Sequence, residues 1–325
     1  MKVLSGVRPT GEIHIGHYFG AIKQWLELQR KNDCYFIIAD LHAITEPFKP
    51  KELSENTLKV TASYIAAGLN PKKCLLYVQS QIPEHSELAW IFSTLLPLGE
   101  LKRMTQFKDL AKKYGTSVNA GLLTYPALMA ADILIYKAKA VPVGEDQKQH
   151  VELARTVARK FNSKFGKIFP EPIALISKNA ARLKSLTNPG KKMSKSDEPE
   201  SYLGLFDSPA LIKQKIMQAV TDSGREIEYN PKNKPAISNL LTIYHLFAGK
   251  PIAQIEKEFK GKGYSFFKSK LADLVIKKLA PIQKKQKELL KNKSQLKKIL
   301  EAGTKKARII TQKTLKEVKE RIGLL

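Results

Sequence analysis

Two short runs, Cys34–Ala39 (CYFIIA) and Cys74–Val78 (CLLYV), are apolar at every position rather than at alternate ones. A strand of that kind has to be covered on both faces, which restricts the chain to a buried, mostly parallel sheet between layers of helices. The neighbouring segments supply those layers: Lys51–Leu69 and Ser86–Leu96 both read as helices. Val3-Leu4 opens an earlier strand, Lys139–Val143 reads as a later one, and a helix follows from Glu145 to about Phe161. Strands separated by helices of this length predict an α/β fold with a doubly wound parallel sheet, Rossmann-like in kind. After about residue 185 the pattern changes to helical stretches around Ser208–Val220, Ile237–Phe247 and Leu271–Leu290, with no further strand signal. The expected division is therefore an α/β domain over residues 1–186 and a second, smaller all-α domain over 187–325.

The second half is also where charge accumulates, with the segment from Lys277 onward rich in lysine between apolar Leu289, Leu296 and Leu300. Over the whole chain 56 Lys+Arg stand against 30 Asp+Glu, a formal +26, which points to a polyanionic partner or to a general preference for lysine. Cys34 and Cys74 have neither disulfide-framework nor metal-ligand spacing, so buried, inert thiols in a reducing cytosol are expected. The longest apolar region, Leu122–Tyr136, contains Pro126 and Asp132 and is too short to span a bilayer. The start of the chain has no secretory leader pattern. A cytoplasmic protein with no membrane association is the expectation.

Between the first strand and the first helix lies Ser5-Gly-Val-Arg-Pro-Thr-Gly-Glu-Ile-His14-Ile15-Gly16-His17. Free N–H groups and the helix dipole at such a junction favour a phosphate. His14 and His17 are three apart and share one face of the first turn. Gly16 lacks the Cβ that would keep a nucleotide base from the backbone. The same residues also fit an ordinary Gly-rich turn with two surface histidines. No Gly-x-x-x-x-Gly-Lys-Ser/Thr and no Gly-x-Gly-x-x-Gly occurs, so kinase-like and dinucleotide-dependent chemistries lack their usual phosphate loops.

A second candidate is Lys191-Lys192-Met193-Ser194-Lys195-Ser196, just past the proposed sheet. Ammonium groups and hydroxyls on a loop suit charge developing on phosphate oxygens, although a solvated basic linker has the same composition. Taken together, His14-Ile15-Gly16-His17 and Lys192-Met193-Ser194-Lys195-Ser196 resemble the signature pair of the class I aminoacyl-tRNA synthetases. Further segments resemble the bacterial type of tryptophanyl-tRNA synthetase: Gly144-Glu-Asp-Gln-Lys-Gln-His150, Leu123-Thr-Tyr-Pro-Ala-Leu-Met-Ala-Ala-Asp-Ile-Leu134, Gly99-Glu-Leu-Lys-Arg-Met-Thr-Gln-Phe-Lys108 and Gly263-Tyr264. The resemblance runs over essentially the whole chain. Arg8 stands where many members have glutamine, and His14 and His17 restore a motif that many of them have lost.

The resemblance implies a tryptophan–tRNA ligase that makes tryptophanyl-adenylate from ATP and passes the amino acid to tRNA(Trp). It implies His14, Gly16, His17, Lys192 and Lys195 in catalysis. Arg8, Pro9 and Thr10 are implied along the triphosphate, and Met193, Ser194 and Ser196 complete the loop. Gly144, Glu145, Asp146 and the Leu183 backbone are implied at ribose and adenine. Mg²⁺ is expected on the phosphates, with no metal site of the protein's own.

Tyr125, Met129 and Asp132 are spaced i, i+4, i+7 and so share a helical face. An indole offers one N–H donor and a polarisable ring, needs that a buried acceptor and a soft thioether meet. A core helix with Asp132 satisfied by a backbone amide fits the same spacing. The resemblance assigns Asp132 to the indole N–H, His42, Val141 and Val143 to the side-chain pocket, and Tyr125 and Gln147 to the substrate amino group. It implies a homodimer with one tRNA spanning both subunits and anticodon contacts from the basic helices. A tyrosyl-tRNA synthetase and a non-catalytic, synthetase-like RNA-binding protein are the alternatives.

Overall fold

The computed structural model describes residues 1–10, 13–176, 183–194 and 197–324. Five strands form one parallel sheet: β1 (Lys2–Val7), β2 (Asp33–Ile38), β3 (Cys74–Val78), β4 (Ala140–Pro142) and β5 (Ile173–Leu175). Their order is β3-β2-β1-β4-β5. The chain winds outward from β1 to β3, then crosses to the other side of β1 for β4 and β5. The reversal falls between β1 and β4, and ligands of such sheets bind beyond the carboxyl ends at that point. Here those ends run into Arg8–Thr10 and Val143–Gly144.

β2 and β3 are the two continuous apolar runs, nearly all buried, and they pair in register with Cys34 beside Cys74. Both thiols are free, and burial pushes them up to about 11 and about 12, so neither ionises near neutral pH. β5 carries no such signal in the sequence. It is three residues long, with Ile173 exposed, and only its pairing to β4 makes it a strand.

The helices used below are α1 (Pro50–Ala67), α2 (Glu84–Ser93), α3 (Ala120–Leu134), α4 (Lys148–Phe165), α5 (Pro209–Gln218), α6 (Pro235–Ala248), α7 (Tyr264–Lys291) and α8 (Lys293–Ile322). The Asn119 side chain caps α3 by accepting from Leu122 N–H. Gly68 in the left-handed region ends α1, with Gly68 N–H bonded to Ile65. Of the described helices, none is long and apolar enough to cross a membrane.

The chain forms two compact units: Met1–Thr10, Gln24–Lys178 and Asn292–Leu325 make one, and Gly11–Lys23 with Asn179–Lys291 make the other. A single cut at 186/187 does not describe this grouping. The last helix joins the sheet unit because α8 carries a buried stripe: Leu296, Leu300, Gly303, Ala307, Thr311, Leu315 and Val318. That stripe lies on β3 and α2. Thr304 donates to Gln81 at 2.8 Å, and Arg308 and Lys319 reach Glu84 and Glu87 at 3.1 and 2.9 Å. The other lysines of α8 are exposed, so the buried stripe rather than the charge decides which unit it joins.

In the second unit the segment around His14 pairs with 203–205. Ile15 N–H donates to Leu203 at 2.9 Å and Leu205 N–H to Ile13 at 2.7 Å. A buried ion pair, Lys215 Nζ to Asp207 Oδ2 at 2.8 Å, fixes that strip, because the same carboxylate oxygen accepts Gly204 N–H at 2.9 Å. α5, α6 and α7 pack around Phe19, Phe247 and Phe267, with Phe19 edge-on to Phe247 at 4.8 Å.

Candidate active site

In the sheet unit the strand ends and α3 converge on one carboxylate. Asp132 is 4% exposed and accepts from three side chains. Oδ1 accepts from Gln79 Nε2 at 2.7 Å and pairs with His85 Nδ1 at 2.5 Å. Oδ2 pairs with His42 Nε2 at 2.7 Å and is shared by Gln79 Nε2 at 2.9 Å. Burial works against the charge, but the hydrogen bonds from His42 and His85 outweigh it and hold this carboxyl well below the ordinary range. The carboxylate is thus kept as a pure acceptor.

One and two turns before Asp132, Met129 lies against the core and Tyr125 faces His42, ring to ring at 6.1 Å. The Tyr125 hydroxyl meets Gln106 Oε1 at 3.1 Å and His150 Nε2 at 2.8 Å. Val141 is buried in β4, and Val143, one residue past its end, packs on the same core. Gln147 donates to Asp146 Oδ2 at 3.0 Å, and Gln106 reaches the same carboxylate at 3.4 Å. At Gly144 a Cβ would lie 2.5 Å from Asp146 Oδ1, so only glycine lets that carboxylate fold back over the turn. Arg8 is ion-paired with Glu46, which also accepts from Tyr114 at 2.6 Å. Those partners hold the Glu46 carboxyl low despite its burial. Pro9 is buried and Thr10 donates its N–H back to Arg8 at 2.8 Å.

In the second unit, His14 caps the turn that begins at Ile15, its carbonyl accepting His17 and Tyr18 N–H at 3.0 and 3.1 Å. The helical backbone widens to a π-turn over Tyr18–Ile22, a feature that recurs at functional sites. The rings of His14 and His17 are 6.5 Å apart, and His14 is 6.0 Å from Tyr202. The lysine-rich segment returns against the same turn. Lys184 and Lys192 form an antiparallel bridge, and buried Met193 donates its N–H to Leu183 at 2.9 Å. Asn239 on α6 pins the bridge by bonding both N–H and C=O of Lys184, at 2.9 and 3.0 Å. A Cβ on Gly16 would lie 3.8 Å from Met193 Sδ, so the two motifs, far apart in the chain, are neighbours. Lys195 and Ser196 lie outside the described residues.

Residues 1–280 match the family model for class I tRNA synthetases (W and Y). The chain belongs to that family. The tryptophan–tRNA ligase of Caldanaerobacter subterraneus subsp. tengcongensis is 51% identical over 325 residues, covering 100% of this chain and 98% of its own. That of Bacillus anthracis is 49% identical, covering 99% and 98%. The solved tryptophanyl-tRNA synthetase of Campylobacter jejuni, complexed with ADP and tryptophan, is 40% identical with a TM-score of 0.89, covering 100% of both chains.

Within this class I tRNA synthetase family, the residues singled out in the sequence fall into two groups. Arg8, Pro9, Thr10, His42, Tyr125, Met129, Asp132, Val141, Val143, Gly144, Glu145, Asp146 and Gln147 belong to the sheet unit. His14, Gly16, His17, Leu183, Lys192, Met193 and Ser194 belong to the other. Asp132 is satisfied by side chains rather than by the backbone amide that a plain core helix would supply. Gln79, His85 and Glu46 have no place in the sequence reading, and Gln106 and His150 enter it only inside longer segments, with no role assigned. Gln79 was within reach, since it directly follows β3 as His42 follows the end of β2. His85, in the first turn of α2, had no local signal at all.

His150 supplies a pH test. Burial, reinforced by the nearby His42, pushes its imidazole down to about 4 from the ordinary 6.5. The folded state therefore binds this proton less readily than the unfolded chain. Stability is complete above about 6.5 and falls as pH drops toward 4, by roughly 3 kcal/mol from this group. The Asp132 contribution goes only below 3.8, where the unfolded carboxyl protonates. Urea midpoints measured from pH 7 to 4 should show the loss, and His150→Gln should flatten the curve. Equal slopes for the two proteins would remove His150 from the account.

Proposed function

We propose that this chain activates L-tryptophan with ATP and then transfers it to tRNA(Trp), and that Asp132 selects the indole. The observation that carries the reading is the proximity of Gly16 to Met193, two phosphate-suited segments lying side by side in one compact unit. A tryptophan carboxylate oxygen attacks the α-phosphorus of ATP, the bond to the bridging oxygen breaks, and pyrophosphate leaves with that electron pair. The 2′-hydroxyl of tRNA then attacks the acyl carbonyl and AMP departs, the hydroxyl proton passing to solvent. Little acid–base work is needed, so the protein acts by positioning and by neutralising charge.

His14 and His17 contact phosphate from the start of the helical turn, while Lys192 and Lys195 meet the leaving pyrophosphate, with Met193 as the loop's anchor and Ser194 and Ser196 as hydroxyl donors. Thr10, Pro9 and Arg8 line the triphosphate, Arg8 after parting from Glu46. Gly144, Glu145, Asp146 and the backbone of Leu183 hold ribose and adenine. Tyr125 and Gln147 face the substrate amino group, and His42, Met129, Val141 and Val143 surround the ring. Mg²⁺ accompanies ATP through its phosphates and water, and the reading asks no protein cage of it. Exposed Trp90 and Leu98 are apolar groups that a homodimer interface would cover, and a cytoplasmic location follows from the substrates.

Tryptophan-dependent exchange of pyrophosphate into ATP is the test. The reading requires exchange with tryptophan and little with tyrosine at the same concentration. Preference for tyrosine would favour the tyrosine enzyme, and no exchange with either would leave an RNA-binding protein.

A further inference from the structure

The carboxylate proposed to select the indole is held mainly by fully buried residues. Of its three side-chain donors, only His42 has any exposure, 11% of its side chain, whereas His85 and Gln79 have none. His85 and Gln79 share Oδ1, so that oxygen is occupied from within. The arrangement is maintained at a cost. Gln79 turns its amide nitrogen to Asp132, and its buried Oε1 has no hydrogen-bond partner among the described residues. A glutamine free to rotate would not leave a buried acceptor unpaired, so the demand of the carboxylate sets its orientation.

His85 is aimed in the same way. One ring nitrogen, Nδ1, meets Asp132 at 2.5 Å, and the other, Nε2, meets the hydroxyl of Tyr136 at 2.9 Å. Tyr136 is itself fully buried, and burial keeps its hydroxyl protonated far beyond neutral pH. Asp132 is ionised and only accepts, so an N–H must sit on Nδ1 and point at the carboxylate, while the Tyr136 hydroxyl holds the other side of the ring at Nε2. Tyr136, His85 and Asp132 therefore form one buried hydrogen-bonded chain that sets the angle at which the imidazole N–H meets the carboxylate.

We propose that His85, oriented by Tyr136, is a positioning residue for tryptophan selection: it fixes the Asp132 carboxylate in the rotamer and charge state that accept the indole N–H. The proposal rests on the reading of Asp132 as the indole acceptor. With His85 gone, Asp132 rotates toward His42 or takes up a proton, and an N–H finds no well-aimed acceptor. The rest of the pocket, which holds the ring by shape, is unaffected. The defect is thus confined to substrates that carry the N–H.

The experiment compares tryptophan with benzothienylalanine, in which sulfur replaces the indole N–H, by pyrophosphate exchange on the full chain. His85→Leu should cut kcat/KM for tryptophan by roughly ten- to hundredfold, the worth of a hydrogen bond to a charged group, and leave the sulfur analogue nearly unchanged. His85→Asn, whose amide nitrogen sits near the place of Nδ1, should restore most of the ratio, and the KM for ATP should not move. Parallel losses for both substrates, or Asn no better than Leu, would overturn the proposal in favour of a purely structural His85. If the leucine variant does not fold, Tyr136→Phe decides: a severalfold fall in the tryptophan-to-analogue ratio supports the chain, and an unchanged ratio overturns it. Asp132→Ala separates the two levels of the argument. If it loses the ratio while the His85 and Tyr136 variants keep it, only the present proposal fails. If it too keeps the ratio, the indole acceptor has been misassigned.

Discussion

Lys195→Ala is expected to slow tryptophan activation by about two to three orders of magnitude while tryptophan affinity stays close to its starting value. The size follows from the role proposed for Lys195, a donor to charge that develops only as pyrophosphate leaves. Such a contact is absent from the ground state, so its loss falls on kcat rather than on substrate binding. The described residues just before Lys195 are anchored: Met193 is buried beside Gly16 and its N–H is bonded to Leu183, while Lys192 next to it is exposed. Single-turnover formation of the adenylate, with tryptophan binding measured separately, checks it. An equal loss in both would give Lys195 a role in the amino-acid pocket instead.

Gly303→Ala is expected to destabilise the sheet unit, although an exposed helix would gain from the same change. Propensity alone predicts a gain of about 1 kcal/mol for alanine over glycine inside a helix. Against it stands a close approach: a Cβ on Gly303 would fall well inside van der Waals distance of the Leu76 carbonyl oxygen and lie 2.9 Å from its carbon. Neither partner can give way cheaply. Leu76 is central in β3 and paired with Phe36 of β2, and Gly303 is central in the buried stripe of α8. Backing the helix off loosens Leu300, Ala307 and their neighbours together. Overpacking of this sort costs about 3 kcal/mol, so the steric term wins and the sign of the change reverses. A urea midpoint that falls, with an unchanged slope, is the expected outcome. A midpoint that rises would mean α8 does not seat on β3.

Much of the candidate site was legible because the chemistry proposed for it is local. His14-Ile15-Gly16-His17 and Lys192-Met193-Ser194 each form a short contiguous unit whose residue types state a phosphate chemistry. The i, i+4, i+7 spacing put Tyr125, Met129 and Asp132 on one face of α3 before any coordinates. Gln79 and His85 were not legible, since their role arises only where β3 ends and α2 begins beside a helix some fifty positions further on. Glu46 is a similar case: nothing near it in the chain says that Arg8 and Tyr114 will meet it. β5 escaped because three residues, one of them exposed, carry no periodicity for a pattern to detect.

The chain by itself determined the sheet class, the two phosphate-suited segments and the family, because each is written in contiguous residues whose propensities and chemistry do not depend on what packs against them. Tertiary structure alone decided three further things: that α8 joins the sheet unit despite its lysines, that residues 11–23 group with 179–291, and that Asp132 is held in place by Gln79, His42 and His85. Those outcomes depend on which surfaces bury one another and which buried polar groups find partners. They are set by pairs of residues distant in the chain, and no local pattern encodes them.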